Sequence, residues 1–258
     1  MHTWHWRNDE GLPYLTCSLL ELWHHGFFTQ QFWPRSPQEL TKVLQPEALV
    51  YRLQQVHGNT VLTPQEVDSK LNTSENELAL ADGLISEQPL QALWVASADC
   101  TPVLIGDVKT GQVAAVHAGW RGTAAKIVPQ AIARLQAQGS KLDDLRIAMG
   151  PAIAGEVYQV SVEVAAEIGS TITPDEDPQT IVAALHDLPN SPMLADSQPG
   201  KVRLDVRRVN ALQIDMLGIS AEQVAIAPYC TFQTPEHFFS YRREREKKVQ
   251  WSGIVSIA

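Results

Sequence analysis

Three runs near the middle of the chain are short and strongly apolar: Leu90–Cys100 (LQALWVASADC), Pro102–Asp107 (PVLIGD) and Gln112–Gly119 (QVAAVHAG). Apolar runs of this length predict buried strands, and Asp107–Gln112 (DVKTGQ) predicts a hairpin turn between the last two. The period then changes. Val128, Ile132 and Leu135 fall at i, i+4 and i+7, which predicts a helix from about Thr123 to Gln138 with Gly139 as its stop. Pro129 lies inside that span and either kinks the helix or marks its true start, since its ring removes a backbone donor.

Elsewhere the signals are more local. Ser36–Leu44 opens with Ser36 as N-cap, Pro37 at the first helical position and Glu39 in the capping-box place, and Pro46 stops it. Leu49–Gly58 reads as a strand closed by a Gly58-Asn59 turn. Ala81–Ser86 is a short apolar piece after the polar stretch Asp68–Glu77. Leu145–Ile153 is a strand with a turn. Asp205 caps a helix carrying Val206, Val209, Leu212 and Met216, ended by Gly218. Gln223–Cys230 and Val249–Ile257 are the last strand candidates. Thr173–Gly200 is rich in Pro, Asp and Ser, and reads as a surface insertion (173–200) with a short helix at its centre. Frequent hairpins and irregular alternation point to a mixed-sheet α/β or α+β fold, rather than a doubly wound parallel sheet, in a single domain over residues 1–258.

Composition narrows the function. Acidic residues outnumber basic ones, 29 to 20, for a formal charge of -9. That argues against broad nucleic-acid binding but leaves room for a local basic pocket. The cysteines, Cys17, Cys100 and Cys230, are odd in number and widely spaced, so no disulfide framework is expected. The polar, aromatic start is unlike a signal peptide, and no apolar run approaches the roughly 20 residues of a membrane span. These features predict a cytoplasmic protein with reduced thiols and no membrane association. Neither a GxGxxG nor a GxxxxGK[ST] motif is present.

Of eight histidines, His2, His5, His24 and His25 read as surface residues, and His186 and His237 carry no specific signal. His57 and His117 differ: each ends an apolar run and precedes Gly or Ala-Gly, where backbone of little bulk lets a ligand approach. With Cys100 they leave three readings open. They are buried packing residues, a cysteine nucleophile with a histidine base oriented by Asp82 or Asp99, or two imidazoles and a thiolate around a metal with one open position.

Val116–Thr123 (VHAGWRGT) resembles the signature of the laccase-domain, YfiH-like family, named polyphenol oxidase or purine nucleoside phosphorylase. The resemblance continues, in order, through Gln54–Val61 (QQVHGNTV), Ala81–Ser86, Ser97–Asp107, Met149–Ile153, Tyr158–Val160, Leu204–Val206, Tyr229–Thr231 and Phe238–Arg243 (FFSYRR). It implies an α-β-β-α sandwich of two mixed sheets flanked by helices, with zinc, or alternatively copper, on His57, Cys100 and His117. It also implies action on purine nucleosides with phosphate: phosphorolysis of adenosine, inosine and methylthioadenosine, and deamination of adenosine. Bound metal would lower the pKa of a water to roughly 7. Asp82, then Asp99, are the candidates for carrying protons. Arg121, near a helix start, is the first candidate for phosphate, followed by Arg242 and Arg35, while Trp120 and Tyr241 are candidates for stacking on a base. The family pattern is broken at Pro34, where an Asn is expected, and after Arg243, where Gly-Arg gives way to EREKK. The alternatives are a copper oxidase of phenols, a metal-free cysteine hydrolase of cell-wall precursors, and a non-catalytic metal-binding module.

Overall fold

The structure is a computed structural model that describes residues 2–71, 78–175 and 177–257; the end of the polar stretch Asp68–Glu77 lies outside the described residues. Two six-stranded sheets form its centre. The first runs in the order Trp4–Asp9, Leu12–Cys17, His25–Phe28, Gln250–Val255, Gln91–Ser97, Leu49–Tyr51. The second runs Val224–Ile226, Leu145–Met149, Thr101–Asp107, Val113–Ala118, Gly83–Ile85, Val61–Leu62. Both are mixed: the first is antiparallel except for Leu49–Tyr51 beside Gln91–Leu93, and the second is antiparallel except for the outermost pair at each edge.

Alternate residues of each strand face opposite sides, and both sides are covered. Leu104, Ala115 and Ala148 of the second sheet meet Phe27, Leu93, Val95 and Ile254 of the first in a core between the sheets. Their neighbours Val103, Ile105, Val116 and Ile147 face outward onto helix Ile127–Ala137, through Val128, Ile132 and Leu135. On the far side Phe28, Trp94 and Val255 pack under helix Pro37–Leu44, through Leu40 and Leu44. The order of layers is therefore helix, sheet, sheet, helix, an α+β sandwich. A strand buried on both faces needs a continuous apolar run, which is how the three central strands read in the sequence.

Several local devices match the sequence reading. Ser36 and Glu39 form the capping box, with Pro37 first in the helix. Asp205 accepts the amides of Arg207 and Arg208 at the start of helix Val206–Asp215. The helix expected over Thr123–Gln138 is split: a turn at Trp120–Ala124, Lys126 with φ 58°, then Ile127–Ala137. Pro129 falls in the first turn of the second piece, where a missing donor costs nothing, so it marks the true start. The segment Thr173–Gly200 carries helix Pro178–His186 and strand Met193–Ala195. Ile181, Leu185 and Met193 pack with Val162–Gly169 and Val206, and strand Lys201–Leu204 joins Met193–Ala195 and Gln159–Ser161 in a small third sheet.

Two expectations are corrected. Only Leu49–Tyr51 of the span Leu49–Gly58 is strand, because the amides of residues 56–58 turn to a carboxylate described below. His25 is buried, not on the surface: Nε2 accepts the Cys17 amide at 2.8 Å, and Nδ1 lies 2.9 Å from the Trp23 carbonyl.

Candidate metal centre

The chain crosses between the sheets at residues 98–100, from the end of Gln91–Ser97 to the start of Thr101–Asp107. Cys100 therefore sits at the rim where the sheets meet. In the neighbouring strand His117 pairs with Pro102, one residue past Thr101. His57 arrives from a loop in which it holds φ 62°. The donor atoms of His57, Cys100 and His117 all lie within 4.8 Å of one another. His117 is buried, Cys100 half-buried and His57 exposed, so the group is open on the His57 side.

Asp82 builds this arrangement from behind. Its side chain is wholly buried, and both oxygens are taken: Oδ1 accepts the His57 amide at 2.8 Å, and Oδ2 accepts the amides of Val56 at 3.1 Å and Gly58 at 2.8 Å. His117 Nδ1 lies 2.9 Å from Oδ1. A carboxylate accepts but does not donate, so His117 carries its proton on Nδ1 and turns Nε2 to the group; fixing a ligand's tautomer in this way is a common outer-shell task. The carboxyl sits low: burial works to raise it, and the bond from His117 and the amides of Gly58 and His57 outweigh that.

The charges favour a cation. Burial works to raise the Cys100 thiol, but His117 and then His57 outweigh it and bring it down to about 6. Burial works to lower His117, but the Cys100 thiolate and Asp82 outweigh it and bring it up to about 9. Without a metal these shifts favour thiolate beside imidazolium near neutral pH. A divalent ion would replace that imidazolium proton, and two imidazoles with one thiolate suit a borderline-soft ion such as zinc or copper. The residues therefore fit a metal.

A cleft of about 30 Å³ reaches Cys100, bordered by Asp99, Gly119, Trp120, Ile153 and Tyr158. Larger hollows, of about 570 Å³ near Arg207 and about 400 Å³ near Leu212, contain none of the three donors, so size does not mark the chemistry here. Asp99, at φ 92°, accepts the Thr231 hydroxyl on Oδ1 and the Arg242 amide on Oδ2, both at 2.7 Å. Arg121 is exposed in the turn Trp120–Ala124, with its guanidinium 4.4 Å from the Trp120 ring centre. Arg242 lies 4.7 Å from the Tyr158 ring centre and donates to the Gln159 carbonyl.

The other sequence candidates lie differently. Arg35 pairs with Asp9 and Glu10, at 3.4 and 3.2 Å. Arg243 spends its guanidinium on the carbonyls of Thr231, Phe232 and Phe238 and on Glu244. Tyr241 is exposed. Sequence reasoning missed Tyr158 and Thr231. Both stand inside quoted motif pieces, but nothing in their spacing says that the third sheet and the loop before Tyr241 fold back onto Cys100.

A family model described as "Multi-copper polyphenol oxidoreductase laccase" matches residues 35–257. A purine nucleoside phosphorylase of Synechocystis sp. is 52% identical over 256 residues, 98% of this chain and 97% of that one. An adenosine deaminase from an unknown prokaryotic organism is 29% identical over 73% of this chain and 68% of its own. The crystal structure of YlmD from Geobacillus stearothermophilus superposes with a TM-score of 0.81 at 22% identity, covering 98% of this chain and 99% of that one. The fold, the ordered motifs and these likenesses agree, and the chain belongs to the laccase-domain, YfiH-like family.

Proposed function

We propose that this protein is a metal-dependent purine nucleoside enzyme. On this reading it cleaves adenosine, inosine and methylthioadenosine with phosphate and also deaminates adenosine. The observation that carries the reading is the convergence of His57, Cys100 and His117, with His117 held by Asp82. The phosphorylase and deaminase names of the relatives support the substrate class.

A zinc or copper ion held by the three donors would supply Lewis-acid activation of oxygen. The chain's own residues do the rest. Asp82 fixes the His57 loop and the His117 tautomer; with both oxygens occupied it serves as a positioning residue rather than a carrier of protons. Asp99 ties the Cys100 turn to Thr231 and Arg242 and is a positioning residue too. Arg121 and Arg242 bring positive charge to the cleft and hold phosphate against the ribose carbon. Arg35, neutralised by two carboxylates, has no part in this. Ile153 and Val206 give the cleft an apolar wall that limits water.

One observation weighs against the phenol-oxidase alternative. Among the described residues a single group of three such donors is found, too few for several coppers. The cysteine-hydrolase alternative uses the same thiolate–imidazolium pair without metal. Incubation with adenosine and phosphate, with products separated by chromatography, tests the proposal. Phosphate-dependent adenine release should be lost in His57→Ala, Cys100→Ala and His117→Ala. Adenine release that survives all three changes sinks it, and hydrolysis by metal-stripped protein would favour the cysteine reading.

A further inference from the structure

Arg121 and Arg242 differ from five other arginines of this chain in what holds them. Arg35, Arg134, Arg203, Arg207 and Arg243 each meet a carboxylate. Among the described residues Arg121 and Arg242 make no ion pair. Asp99 meets the Thr231 hydroxyl and the backbone amide of Arg242 rather than either guanidinium. Each guanidinium lies over an aromatic ring, Arg121 over Trp120 at 4.4 Å and Arg242 over Tyr158 at 4.7 Å, and Arg242 also spends one N–H on the Gln159 carbonyl at 3.0 Å. Both rings border the Cys100 cleft and pack against one apolar cluster, which fixes their planes. Both guanidinium charges act on the Tyr158 phenol, as do the negative charges of Cys100 and Asp99, so all four groups share one neighbourhood.

A carboxylate partner would cancel the charge it orients. A ring face orients a guanidinium through its quadrupole and leaves the N–H edge and the net charge free. We propose that Trp120 and Tyr158 are positioning residues that hold Arg121 and Arg242, neither of them in a salt bridge, for the phosphate co-substrate. This rests on the phosphorolytic reading above. It assigns the rings a task other than stacking on the purine, and it gives Tyr158 a role through its ring face rather than its hydroxyl.

Calorimetric titration of the metal-containing protein with inorganic phosphate, without nucleoside, tests it directly. Trp120→Leu and Tyr158→Leu should each weaken phosphate binding roughly tenfold, and Tyr158→Phe, which keeps the ring, should recover most of it. In turnover, the KM for phosphate should rise in the leucine variants with kcat and the KM for adenosine changed far less. Melting curves identify a leucine variant that fails to fold, in which case the other leucine variant and Tyr158→Phe carry the test. Leucine variants that bind phosphate as the wild type does overturn the inference, and adenine release by the wild type would leave the function standing. A phenylalanine variant as weak as the leucine one overturns the role of the ring face. A wild type that binds phosphate but releases no adenine overturns the function and the co-substrate assignment with it, while ring variants that weaken that binding still show the rings holding an anion site. A wild type that binds no phosphate overturns the inference.

Discussion

Gly119 leaves no room for a side chain. A Cβ there would lie 2.9 Å from Cys100 Sγ and 3.4 Å from His57 Cδ2. Gly119→Ala must push the thiol aside, so metal content measured by elemental analysis should fall while the melting temperature changes little; full occupancy would show that the thiol is not a ligand. Asp82→Asn replaces one acceptor by a donor that faces backbone N–H groups or the His117 proton. Metal affinity should fall roughly 10- to 100-fold by chelator competition, and unchanged affinity would remove Asp82 from the centre. Cys100 can be followed on its own. With a thiol near 6, alkylation of the metal-stripped protein should be fast above about pH 6 and slow below it, rather than rising only near 9. His117→Ala should move that midpoint upward, because the imidazolium is the largest influence lowering it.

At the scale of elements, strand His25–Phe28 begins on a buried imidazole that both accepts and donates, so it must stay neutral. Burial, the largest cause, pushes His25 down from 6.5 to about 4. As pH falls through 6.5 the unfolded chain takes up this proton first. The stability contribution is therefore full above about 6.5 and falls until about 4, by up to about 3 kcal/mol. Urea unfolding at pH 7.5 and pH 5 should show a larger loss in the wild type than in His25→Gln; parallel losses would contradict it. His25 also shows why some elements are hidden in the sequence. The central strands were legible because both faces are buried and the runs are unbroken. Trp4–Asp9 exposes its four middle residues and has little alternation to read. Helix Pro64–Leu71 is mostly polar. The bend at residues 56–58 depends on Asp82, far along the chain, and no local pattern announces it. The ligand set is legible only as a joint motif, since residue types and spacing alone favour plain packing over a metal or a nucleophile.

At the scale of the molecule, the sandwich sets its chemistry where the chain steps from one sheet to the other. Cys100 belongs to that step, His117 to the strand beside it and His57 to a loop clamped by Asp82, so the centre forms only when both sheets are in register. No helix among the described residues is long and apolar enough to cross a membrane. With a formal charge of -9, Arg121 and Arg242 over the two rings that border the cleft bring local positive charge to an acidic protein. The most direct test of the account is elemental analysis of protein purified without added metal, with His57→Ala, Cys100→Ala and His117→Ala in parallel. The account predicts about one zinc or copper ion per chain in the wild type and its loss in each variant. A metal-free wild type that still releases adenine from adenosine and phosphate, or variants that keep the ion, would contradict it.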